Sequence, residues 1–182
     1  MTGSKQNCAT IGSLSVVIGG ARSGKSRFAE GLVRASGREK LYIATAEAWD
    51  DEMRARIAQH QADRGADWVT VNAPLALCDA LAQVPADAVV LVDCATLWLS
   101  NHLLAEHDLG AESAALLAAL AVCKSPVVVV TNEVGLSVVP DNALARAFRD
   151  AQGRLNQDLA AQAGLVVAVW AGLPLVLKGA LP

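Results

Sequence analysis

Hydrophobic residues fall along this chain in two kinds of stretch. Short runs at residues 14–18, 41–44, 88–92, 126–130 and 165–170 are rich in Val, Ile and Leu, and runs such as Val127-Val128-Val129-Val130 are unbroken. Runs without polar alternation are typical of strands buried on both faces, as in a parallel sheet covered by helices. Residues 68–71 read as a further strand. Longer stretches with helical spacing lie between them. Residues 26–35 put Phe28, Leu32 and Val33 on one side. Residues 112–123 are Ala- and Leu-rich. Leu144, Phe148, Ala151, Leu155 and Leu159 recur at three- and four-residue steps. Asp141, after Pro140, is the expected N-cap of that last helix, and Gly164 its stop. Helices are also expected over residues 50–63, 74–82 and 94–104. The first of these opens on Asp50, Asp51 and Glu52, which complement the helix dipole, and ends at Gly65. Residues 165–170 are the expected last strand.

Strands alternating with helices in series argue for an α/β layered fold. The expected organisation is a flexible leader over residues 1–13 and one domain over residues 14–182, with no repeat or linker. Only 4% of residues are aromatic while 53% are hydrophobic, so the core is built of Ala, Val and Leu. A net charge of −3 with scattered basic residues gives no expectation of a nucleic-acid partner. Cys8, Cys78, Cys94 and Cys123 form no C-x-x-C pair, which suggests buried free thiols in a reducing compartment. The N-terminal residues lack the layout of a signal peptide. The longest apolar stretch, residues 165–177, is shorter than the ~20 residues a bilayer needs and contains Gly172 and Pro174. A cytoplasmic protein without a membrane span is expected.

The chemistry centres on Gly19-Gly20-Ala21-Arg22-Ser23-Gly24-Lys25-Ser26, which fits G-x-x-x-x-G-K-[ST]. A strand before it and a helix after it supply the context that a chance glycine-rich turn would lack. Glycines let backbone N–H groups turn toward phosphate oxygens, and the helix N-terminus adds positive potential. Lys25 is placed to reach the β- and γ-phosphates, and Ser26 to ligate Mg²⁺. Asp93 ends a buried run; it is either a second Mg²⁺ ligand or an ordinary polar strand terminus. Arg56, His60 and Arg64 share one helix face. They form either a solvated basic face or a phosphate grip around a neutral, nucleophilic imidazole. Thr131-Asn132-Glu133 sits where switch GTPases carry Asn-Lys-x-Asp, but without the Lys and Asp, which disfavours a switch GTPase and leaves turn chemistry. His102 and His107 are expected at the surface with no role.

Further segments accompany these: Tyr42-Ile43-Ala44-Thr45, Asp51-Glu52-Met53, Trp68-Val69-Thr70, Val92-Asp93-Cys94 with Thr96-Leu97-Trp98-Leu99-Ser100-Asn101, Thr131-Asn132-Glu133-Val134-Gly135, Phe148-Arg149-Asp150 and Gly172-Leu173-Pro174-Leu175. In this order, from Val16 to Lys178, they resemble the bifunctional adenosylcobinamide kinase/adenosylcobinamide-phosphate guanylyltransferase family of cobalamin biosynthesis. The resemblance implies a P-loop NTPase of RecA-like type, a three-layer sandwich with a mostly parallel central sheet flanked by helices. It implies two activities: phosphorylation of adenosylcobinamide with ATP or GTP, then transfer of GMP from GTP to adenosylcobinamide phosphate, giving adenosyl-GDP-cobinamide. His60 would carry GMP covalently and Lys25 would serve catalysis. Nucleotide contacts are implied at the phosphate loop, Ala44, Thr45, Ala46, Gln61, Ala62, Asp63, Arg64, Asn72 and Asp93, with Mg²⁺ on Ser26 and Asp93. The family usually has glutamate where this chain has Asn72, which hydrogen-bonds but carries no charge. A homo-oligomer, a trimer by the resemblance, is also implied. A single-function small-molecule kinase and a non-catalytic nucleotide-sensing module are the alternatives from other classes.

Overall fold

The computed structural model describes residues 12–47, 51, 54 and 65–182. The described residues form seven strands: β1 (Leu14–Gly19), β2 (Glu39–Ala44), β3 (Trp68–Asn72), β4 (Ala88–Asp93), β5 (Val127–Asn132), β6 (Leu165–Trp170) and β7 (Leu173–Lys178). They make one sheet in the order β3-β2-β4-β5-β1-β6-β7. All neighbouring strands are parallel except β6 and β7. The described helices are α1 (Lys25–Ala35), α2 (Leu77–Ala82), α3 (Ala95–Leu104), α4 (Leu109–Val122) and α5 (Ala143–Gln162).

The unbroken apolar runs are explained by two cores, one on each face of the sheet. Successive side chains of a strand point to opposite faces. Val90, Val92, Val127 and Val129 thus join Leu77, Leu99, Leu116 and Leu155 in one core. Val89, Leu91, Val128 and Val130 join Ala29, Leu32 and Val33 of α1 in the other. The result is the expected three-layer sandwich, with α1 on one side of the sheet.

Several boundaries differ from expectation. The N-cap of α5 is Asn142, not Asp141: its side chain accepts the Ala145 N–H at 2.7 Å. Arg146 Nη1 donates to the Pro140 and Asp141 carbonyls at 3.0 and 2.7 Å, which ties those residues to the approach to the helix. Leu144 is exposed, so the apolar face of α5 begins at Phe148. The stop is Ala163 in extended conformation, and Gly164 is not left-handed. Residues 74–76 precede α2, and α4 starts earlier than expected, at Leu109. Leu165–Trp170 is not the last strand. Ala171 and Gly172 both take positive φ, 51° and 81°, in a two-residue hairpin turn that leads into β7. Of the helix expected over residues 50–63, Asp51 and Arg54 are helical and exposed; the rest lies outside the described residues.

Candidate nucleotide site

β1 delivers Gly19 to the carboxyl edge of the sheet, and the chain enters α1 at Lys25. Between them, Arg22 and Gly24 adopt φ values of 55° and 93°. The Ser23 N–H donates to the Gly20 carbonyl at 3.3 Å, and the Phe28 N–H to that of Gly24 at 3.0 Å. Space as well as φ demands glycine here. A Cβ on Gly19 would lie 2.6 Å from the Val169 carbonyl oxygen, and one on Gly24 3.2 Å from Gly172 Cα. The Gly172 N–H donates to the Ser23 carbonyl at 2.8 Å, so the β6–β7 turn is fastened to the loop. Lys25 Nζ donates to the Gly20 carbonyl at 3.1 Å. Ser26 stands half-buried in the first turn of α1. Ser23 Oγ is buried and has no hydrogen-bond partner among the described residues. A cleft of about 510 Å³, lined by the loop, Glu133, Leu136, Trp170 and Leu177, adjoins it.

The sheet register sets other expected residues in a row along the same edge. Asn72 pairs with Ala44, Ala44 with Asp93, and Gly19 with Asn132. At ~4.8 Å per strand, β4 lies roughly 10 Å from β1 and β3 roughly 19 Å. The Tyr42 hydroxyl donates to Asp93 Oδ2 at 3.0 Å. Thr45 laces β2 to β4. Its hydroxyl donates to the Cys94 carbonyl and accepts from the Cys94 N–H, both at 2.8 Å, while its own N–H donates to the Asp93 carbonyl at 3.3 Å. Asn101 Nδ2 donates to the Thr45 and Pro74 carbonyls at 2.8 and 3.0 Å. Ala46 follows, half-buried. Burial, with the Asp93 charge next, pushes the Cys94 thiol up to about 11.

Sequence reasoning missed Tyr42 and a buried polar network beneath Asn132. Gln152 Nε2 donates to Thr131 Oγ1 at 3.0 Å and to Asn156 Oδ1 at 2.9 Å. Thr131 Oγ1 donates to Asn156 Oδ1 at 2.7 Å, and Asn156 Nδ2 donates to the Asn132 carbonyl at 3.0 Å. Thr96 Oγ1 accepts the Asn132 N–H at 2.7 Å. Two amides four residues apart on the apolar face of a helix were the available signal. Glu133 does form a turn: its carboxylate accepts the Gly135 N–H at 2.6 Å, and its own N–H donates to the Gly19 carbonyl at 3.2 Å. Arg56, His60, Gln61, Ala62, Asp63 and Arg64 lie outside the described residues. The expectation of a surface His102 is wrong. It is 3% exposed and packs edge-on against Trp98. His107 is exposed, as expected.

A phosphate loop joining the first strand to the first helix of a mostly parallel sheet, with an acidic residue ending a nearby strand, is the arrangement of a P-loop NTPase. Two solved structures share the fold. Flagellar accessory protein FlaH from Methanocaldococcus jannaschii has a TM-score of 0.52 at 14% identity, over 93% of this chain and 79% of that one. A prototypical ATPase from the type III secretion system of pathogenic bacteria has a TM-score of 0.54 at 12% identity, over 90% and 53%. Within that class, residues 15–177 match the model of the CobU family, cobinamide kinase / cobinamide phosphate guanyltransferase, and the chain belongs to it. The bifunctional adenosylcobalamin biosynthesis protein CobP of Pseudomonas aeruginosa is 47% identical over 167 residues, 90% of this chain and 96% of that protein. CobU of Escherichia coli is 42% identical over 179 residues, 90% and 98%. No helix among the described residues is long and apolar enough to cross a membrane.

Proposed function

We propose that the chain carries both activities of its family on one phosphate cradle: phosphorylation of adenosylcobinamide by ATP or GTP, then guanylylation of the product. The supporting observation is the row of Gly19–Asp93–Ala44–Asn72 along one sheet edge. Its length suits a nucleotide with phosphates at the loop and the base end toward β3. In the kinase step the acceptor hydroxyl oxygen bonds the γ-phosphorus and gives up its proton to solvent, the bond to the bridging oxygen breaks, and the nucleoside diphosphate leaves. Lys25 and the first N–H groups of α1 take up the charge. In the second reaction a His60 ring nitrogen bonds the α-phosphorus of GTP and pyrophosphate leaves. A phosphate oxygen of adenosylcobinamide phosphate then displaces the nitrogen, which releases adenosyl-GDP-cobinamide and restores His60. Arg56 and Arg64 steady the α-phosphate.

The Ser26 hydroxyl and the Asp93 carboxylate offer only oxygen donors, the set a hard cation takes, so these residues fit Mg²⁺. Bound there, Mg²⁺ would neutralise charge on the triphosphate. Exposed Trp170, Leu173, Leu175 and Leu177 on the β6–β7 hairpin support assembly with further copies, a trimer by family likeness.

GTP labelled at the α-phosphate tests the covalent step. Acid-labile, base-stable label on the protein, lost in His60→Ala, is expected. Label that persists in the variant removes the role given to His60. γ-Label passing into product with no GMP-protein would leave a single-function kinase.

A further inference from the structure

Outside the phosphate loop, the end of α3, the following loop and the start of α4 bring three donor atoms together. They belong to His102 in the last turn of α3, His107 in the loop and Glu112 in the first turn of α4. The site begins with His102. Its Nε2 lies 3.3 Å from the Leu75 carbonyl oxygen, which also accepts from Trp98 Nε1 at 3.2 Å. A carbonyl only accepts, so Nε2 carries the proton and Nδ1 presents a lone pair. Glu106, at φ 58°, doubles the chain back so that the His107 N–H donates to the His102 carbonyl at 3.0 Å. That brings the two Nδ1 atoms to 2.9 Å. Asp108 caps α4 by accepting from the Gly110 and Ala111 N–H groups, which fixes where Glu112 projects. Glu112 Oε1 then lies 3.7 and 3.8 Å from the two nitrogens.

These separations are informative. The carboxylate is beyond hydrogen-bond distance of either ring. Yet one point lies about 2 Å from all three donor atoms, the bond length zinc takes to imidazole nitrogen and carboxylate oxygen. A hydrogen bond between the two rings accounts for the short nitrogen pair but does not use Glu112.

We propose that His102, His107 and Glu112 hold a zinc-class divalent ion through two Nδ1 atoms and one Oε1. Water fills the fourth position on the side where His107 and Glu112 are 43% and 33% exposed. Imidazole donors select this class over Mg²⁺ or Ca²⁺. The Leu75 carbonyl is the outer partner that orients the buried ligand. The ion clamps α3 to α4 and, through Leu75, to the segment after β3. Asn101, next to His102, holds the Thr45 and Pro74 carbonyls, so the clamp braces the outer end of the nucleotide row without touching substrate.

The test uses full-length protein stripped with chelator and titrated with Zn²⁺ and, separately, Co²⁺. One equivalent of each is expected, with the intense visible absorption of four-coordinate Co²⁺. A hundredfold excess of Zn²⁺ over its dissociation constant should raise the unfolding midpoint by on the order of 5 °C. Glu112→Gln alters a half-exposed side chain and should keep the metal-free midpoint, whereas His107→Ala also removes the ring–ring contact to buried His102 and should lower it. Each should weaken binding by more than the ~10–100-fold that loss of an outer partner costs. Failure to bind one equivalent, or binding unchanged in both variants, overturns the proposal.

Discussion

At the scale of single residues, Asp93 has one oxygen already engaged, because Tyr42 donates to Oδ2. On the Mg²⁺ role proposed for Asp93, Tyr42 is a positioning residue. Tyr42→Phe should raise the Mg²⁺ concentration for half-maximal kinase activity about tenfold and leave the acceptor KM unchanged, measured by Mg²⁺ titration. Lys25→Ala should slow both half-reactions by about 10²–10³-fold, the cost of removing one fixed donor to developing charge. Wild-type guanylyl transfer by that variant would refute the shared cradle. The phosphate loop was legible because its letters encode backbone shape: Gly19 and Gly24 stand where a Cβ would strike the Val169 carbonyl or approach Gly172. Asp93 was legible as the acid that closes an apolar run. Tyr42 was not, because an aromatic inside such a run reads as packing and its partner lies 51 positions away. His102 was misread for a related reason: its burial comes from Trp98 and the distant Leu75 carbonyl.

Elements were legible in kind but not at their ends. Helix α5 followed from its spacing, yet its first turn depends on which of two adjacent polar side chains reaches back to an N–H group. Asn142→Ala should cost about 1 kcal/mol in chemical denaturation, whereas Asp141→Ala should leave stability within a few tenths. Helix α5 is also held to β5 by amide chemistry. Gln152→Ala removes two buried hydrogen bonds to the Thr131–Asn156 pair and should cost about 1–3 kcal/mol in the same measurement. β7 escaped notice for two reasons. Its turn is Ala-Gly rather than the usual Asn-Gly, and Pro174 breaks the strand pattern. Proline is tolerated there because β7 is the edge strand, where one side of the backbone has no ladder to complete.

For the whole molecule, the two-sided sheet puts a thiol where charge is costly. Cys94 is held near 11, above its ordinary 9.0, chiefly by burial. An unfolded chain loses that proton first, so between about pH 9 and 11 the unfolded state binds fewer protons and stability falls as pH rises. Below pH 9 the contribution is fully present. The gap is worth on the order of 3 kcal/mol. Denaturation profiles of Cys94→Ala should therefore fall less steeply across this window than those of the parent. Sedimentation of the intact chain should give a trimer if the apolar hairpin is an assembly surface; Leu173→Lys with Leu175→Lys should then shift it to monomer. Another property follows from the bond between the Gly172 amide and the Ser23 carbonyl. The eight letters of the motif are not a portable cassette. Transplanted into a foreign scaffold, or left behind after a protease trims the last hairpin, they would keep their spelling and lose the latch that sets their curvature.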